Sequence, residues 1–136
     1  MERLDLPDAR FDAAIQSNSL CYIVDSDARA AALAETLRVL RPGGALVMRD
    51  PNRCHPVDQF TGLPLIHALP AERAVRIARR LGRARSRVRL ASPLSARHEL
   101  RAAGFDGIRH EAAASGVRLA LKPFARYNHF TAVRPR

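Results

Sequence analysis

The stretch Ala34-Glu35-Thr36-Leu37-Arg38-Val39-Leu40-Arg41-Pro42-Gly43-Gly44-Ala45-Leu46-Val47-Met48 passes from one hydrophobic period to another. Up to Leu40 the period is helical. Ala30, Leu33, Ala34, Leu37 and Leu40 recur on one side while Arg29, Glu35 and Arg38 fall elsewhere, which predicts an amphipathic helix of about 13 residues. Asp25-Ser26-Asp27 offer side-chain oxygens to the orphan amides of its first turn. Pro42 cannot continue a helix and Gly43-Gly44 accept positive φ, so residues 41–44 read as a turn. Ala45 to Met48 then form a short apolar run that predicts a buried strand, with a polar exit at Arg49-Asp50-Pro51-Asn52.

Working outward, residues 11–20 begin apolar and turn polar at Gln16, as a strand buried on both faces would. Strand, helix and strand make a βαβ unit, whose right-handed crossover sets the two strands parallel. Residues 53–70 are irregular, with prolines at 56, 64 and 70. A helix is expected after Pro70, with Ala71, Ala74, Val75, Ala78 and Leu81 on one face and arginines on the other. Ser92-Pro93 supply a cap and a first-turn proline for a further helix, with Ala96, Leu100 and Ala103 inward and Gly104 closing it. Gly107 to Glu111 and Tyr127 to Val133 read as two more strands.

The chain has 136 residues, room for one domain, and 47% hydrophobic residues, enough for a core. No apolar run approaches the roughly 20 residues that span a bilayer. Two cysteines make no disulfide framework, and Met1-Glu2-Arg3-Leu4-Asp5 lacks the layout of a secretion signal, so a cytoplasmic location is the expectation. The net charge of +10 is local. Residues 72–89 hold eight arginines (Arg73, Arg76, Arg79, Arg80, Arg83, Arg85, Arg87, Arg89) against Glu72 alone, which gives that segment +7. Such a stripe suits phosphates or anionic lipid headgroups. Residues 71–99 contain no aromatic side chain, which argues against nucleic acid, and a solvated face enriched by codon usage is the plainer reading.

Three segments together resemble the C-terminal half of class I S-adenosylmethionine-dependent methyltransferases. Residues 4–15, Leu-Asp-Leu-Pro-Asp-Ala-Arg-Phe-Asp-Ala-Ala-Ile, are similar to the family's LPFPDxSFDAV. Residues 34–44 are similar to its xExxRVLRPGG, and Leu100 to Phe105 to its LxxAGF, ahead of a closing strand at Arg126-Tyr127-Asn128-His129-Phe130. The resemblance implies an α/β, Rossmann-like fold, present in part. Of a sheet ordered 3-2-1-4-5-7-6, strands 4, 5, 7 and 6 would be here, mixed parallel and antiparallel, with strand 4 as an open edge. The glycine-rich GxGxG cofactor loop of the family is absent from the sequence. Residues 1–136 therefore read as a single partial methyltransferase domain, N-terminally truncated, split or degraded. A missing N-terminal half or a partner would cover the open strand edge.

In this fold ligands bind at the carboxyl ends of the strands. By resemblance, Ser17, Asn18, Ser19 and Leu20 would line the methionine side of S-adenosyl-L-methionine, with Cys21 and Tyr22 on the substrate side. The alternative is that Ser and Asn only satisfy loop backbone and begin the helix cap. Asp50 and Asn52 end the next strand. They can face the substrate, with Asp50 holding or deprotonating a nucleophile, or they can form an Asx turn around Pro51. Cys21, Cys54, His55 and His67 match no metal-ligand spacing, so no metal is expected.

The resulting expectation is methyl transfer from S-adenosylmethionine to a small-molecule acceptor, with weak or no cofactor binding by this chain alone. The alternative is a non-catalytic basic remnant or partner subunit that binds an anionic surface through residues 72–89.

Overall fold

The computed structural model describes residues 4–83, 88–111 and 124–136. In chain order these form β1 (Phe11–Ser17), a 3-10 turn (Leu20–Tyr22), α1 (Ser26–Val39) and β2 (Leu40–Pro51). A second 3-10 turn (Ile66–Ala68), α2 (Ala71–Arg80), α3 (Pro93–Ala102), β3 (Asp106–Glu111) and β4 (Tyr127–Val133) follow. The sheet runs β1-β2-β4-β3, with β1 and β2 parallel and the other two pairs antiparallel. This mixed α/β sheet has the order implied for strands 4, 5, 7 and 6.

Both predicted caps are made. Asp25 accepts the Ala28 amide at 2.8 Å, and Ser92 and Ser95 close a reciprocal capping box on α3. Gly104 takes φ +95°, as a helix-ending glycine does.

Several sequence expectations shift. First, α1 buries Arg29, Ala32 and Leu33, while Ala30 and Ala34 are exposed. The stripe is rotated because the Arg29 guanidinium has partners inside: it donates to the Leu20 and Ile23 carbonyls and meets Glu99.

Second, Pro42-Gly43-Gly44 is a bulge within β2 and not a turn before it. Phe11 pairs with Leu40, the register slips, and pairing resumes from Ala13↔Ala45 to Ser17↔Arg49. Gly44 admits no side chain there. An added Cβ would lie 2.8 Å from the Arg41 carbonyl oxygen and 3.1 Å from that of Asp12.

The core lies on one face of the sheet. Leu46 and Met48 of β2 and Phe130 and Ala132 of β4 pack with Leu33, Leu100 and Phe105. The opposite face carries Ile15, 82% exposed, and Val47. Of the face expected to be buried on α2, Ala78 is buried and Ala74 half-buried, but Val75 and Leu81 are exposed. Arg85 and Arg87 lie outside the described residues.

Candidate functional site

The carboxyl ends of β1 and β2 lie side by side, because the strands are parallel and Ser17 pairs with Arg49. At that end Asn18 takes φ 50°, and its amide donates to the Arg49 carbonyl at 2.8 Å. The positive φ reverses the chain immediately after the strand, a conformation asparagine tolerates better than most residues. Ser17 and Ser19 are exposed there, whereas Leu20 is buried and its carbonyl is held by Arg29. Of the four residues, Leu20 thus belongs to the core, and Asn18 alone lines the pocket described below.

Cys21 and Tyr22 part company. Cys21 is buried, and its thiol is pushed up to about 11, first by burial and then by the Asp50 charge, so it is no nucleophile at neutral pH. Tyr22 is exposed and meets Phe60 edge-on at 5.9 Å between ring centroids.

Asp50 follows Leu46 and Met48 in the buried alternation of β2. Burial lifts its carboxyl to about 6, against the Arg29 charge and the amides of Cys21 and Ser19, which favour the ionised form. Its Oδ1 has no hydrogen-bond partner among the described residues. Asn52, also buried, accepts the Cys54 amide at 2.9 Å, an Asx turn, and donates to the Ala125 carbonyl at 2.8 Å. Its side chain ties the strand end to the segment leading into β4.

Beside the Asn18 turn is a pocket of about 200 Å³ lined by Asn18, Tyr22, Pro51, Gln59, Phe60, Arg126 and Tyr127. Three aromatic rings and one guanidinium face it, and no acid lines it among the described residues. The Arg49 guanidinium stacks 3.7 Å above the centre of the Tyr127 ring. Two residues on in that strand, His129 is held below its usual pKa by burial and by the Arg49 charge. A larger cleft of about 440 Å³ between α1 and α3 contains none of the sequence-derived site residues.

The loop bearing Gln59 and Phe60 is fixed at Asp58. Burial alone would raise this carboxyl. Hydrogen bonds from His67 at 2.9 Å and from the Thr61 hydroxyl and amide at 2.6 and 2.7 Å instead hold it at about 2. His67 is therefore engaged with Asp58, and His55 with the Val57 backbone. Among the described residues no group of three or more His, Cys, Asp or Glu could hold a metal ion.

Arg126 and Tyr127 carry no local sequence cue that marks them as pocket residues. The signal was topological: a strand antiparallel to β2 starts where β2 ends, and Tyr127 pairs with Pro51.

The sequence model of a family described as a methyltransferase domain matches residues 1–48. No curated protein matches the chain. Among solved structures, the S-adenosylmethionine-dependent methyltransferase SibL aligns at 15% identity and TM-score 0.63, covering 98% of this chain and 34% of its own. A possible histamine N-methyltransferase from Thermotoga maritima aligns at 18% identity and TM-score 0.60, covering 96% and 59%. A methyltransferase from Methanosarcina mazei aligns at 17% and 0.63, covering 97% and 63%. The likeness to these structures is one of fold, and this chain spans from about a third to three fifths of their length.

Proposed function

We propose that this chain, which carries part of an S-adenosylmethionine-dependent methyltransferase domain, supplies the acceptor side of a methyl transfer to a small molecule. The observation that carries this reading is the aromatic pocket at the carboxyl ends of β1 and β2, directly beside the Asn18 turn. The cofactor would supply an electrophilic methyl on a sulfonium. An acceptor lone pair would take that methyl, and the sulfur would keep the bonding pair as a neutral thioether.

Such a transfer needs an aligned nucleophile and little water, and no obligatory acid–base pair. Tyr22, Phe60 and Tyr127 would contact the apolar surface of an acceptor, while Gln59 and Arg126 would orient its polar groups. Ser17, Asn18, Ser19 and Leu20 would form the methionine-side wall. The Ser19 amide favours the Asp50 carboxylate, which places the buried acid next to these residues. Asp50 acts in this reading as a positioning residue. Residues for the ribose and for the glycine-loop contacts come from a segment that also covers the β1 edge, on the same polypeptide or another.

The reading is tested with the protein purified from its own cells. Label from methyl-tritiated cofactor should enter a small-molecule fraction, and Tyr22→Ala should raise the acceptor KM while leaving the cofactor dissociation constant unchanged. No transfer to any small-molecule fraction would remove the proposal.

A further inference from the structure

We propose that α2 docks this chain on an anionic lipid surface. On a helix with 3.6 residues per turn, Ala74, Val75, Ile77, Ala78 and Leu81 occupy one sector, and Arg73, Arg76, Arg79 and Arg80 the other. The protein takes only the middle of the apolar sector, through Ala78 at 3% exposure. Ile77 and Leu81, on the flank next to Arg73 and Arg80, remain 40% and 56% exposed. Leu65 and Leu69, just ahead of the helix, are exposed as well.

The charge pattern chooses the occupant. Four exposed arginines face outward with Glu72 as the helix's only acid. Arginine stems lie along apolar surface while their heads reach the phosphate level, which matches a helix lying in the headgroup plane. Ten residues make a rod of about 15 Å, too short to cross a bilayer. Nucleic-acid phosphates would use the arginines and leave the leucine–isoleucine flank without a role. None of these residues lines the acceptor pocket, so the docking stands or falls apart from methyl transfer.

The full chain is sedimented with vesicles of phosphatidylcholine alone and with phosphatidylglycerol added. Binding is expected only to the anionic vesicles, weakening about fivefold for each arginine neutralised. The double substitution Ile77→Glu with Leu81→Glu should lower vesicle affinity at least about tenfold while circular dichroism stays unchanged. Arg73→Glu with Arg76→Glu should act similarly and serves as the second variant if the first fails to fold. The proposal is overturned if anionic vesicles do not bind. It is equally overturned if the Ile77/Leu81 variant binds them as the parent does, or if an RNA or DNA oligonucleotide binds in their place.

Discussion

Arg29 Nη2 lies 2.6 Å from Glu99 Oε2, and this ion pair joins α1 to α3 behind the candidate site. The same guanidinium holds the Leu20 carbonyl, so one buried side chain fixes both the helix pair and the 3-10 turn that follows Asn18. Arg29 is 3% exposed, which makes the loss of one partner costlier than the pair's net worth. Arg29→Ala and Glu99→Gln are each expected to lower unfolding free energy by about 3 kcal/mol, the first by removing the bonds to Leu20, Ile23 and Glu99, the second by leaving the buried guanidinium charge without its carboxylate. Urea titration of both variants checks this. A loss below about 1 kcal/mol for Glu99→Gln would show that the buried charge does not depend on Glu99.

Asp50 gives a pH dependence with a definite sign. Its carboxyl titrates near 6 in the fold against an ordinary 3.8. A raised acid is favoured in its protonated form, so its contribution is most favourable below pH 3.8 and is lost as pH rises towards 6. The two-unit difference corresponds to about 3 kcal/mol. Asp50→Asn should therefore flatten the stability profile between pH 4 and 6. Asp58, held at about 2, changes only at lower pH, where its stabilisation is lost as pH falls through 3.8 towards 2. An unchanged slope in the Asp50→Asn protein would place the titrating group elsewhere.

Gly44→Ala should destabilise by about 1–3 kcal/mol, because the new methyl meets backbone oxygens of Arg41 and Asp12 that cannot swing away. Gly43→Ala meets no atom within 4 Å and is penalised only by its positive φ. Thermal melts of the two single variants should rank Gly44→Ala below Gly43→Ala. The reverse order would contradict the bulge geometry.

The strand–helix–strand core was readable because its cues are local: a capped helical period, Pro-Gly-Gly, and a short apolar run. The sheet order followed from resemblance and not from periodicity. What local pattern missed was decided by partners distant in sequence. Arg29 reads as a surface residue until Glu99 and the Leu20 carbonyl are placed beside it. Likewise β2 begins at Leu40 because Phe11 pairs with it, which the glycines conceal. At the site, Asn18 and Tyr22 were visible from their place after β1. Arg126 and Tyr127 became visible only once β4 was set against Pro51.

Cofactor affinity should be poor for this chain by itself, since its wall is a few residues and the sequence holds no GxGxG loop. Equilibrium dialysis with S-adenosylmethionine is expected to show a dissociation constant weaker than about 1 mM. Micromolar binding would mean that Ser17 to Leu20 and their neighbours make a complete site.

The proposed role of the pocket is tested most directly at Tyr127, which lines it from β4 beneath the Arg49 guanidinium. The measurement is methyl transfer by the protein purified from its own cells, parent against Tyr127→Ala and Tyr127→Phe. The account predicts a loss of at least about tenfold in kcat/KM for Tyr127→Ala, near-parent activity for Tyr127→Phe, and an unchanged cofactor dissociation constant in both. Transfer by Tyr127→Ala at the parent rate, with the parent's KM, would contradict it.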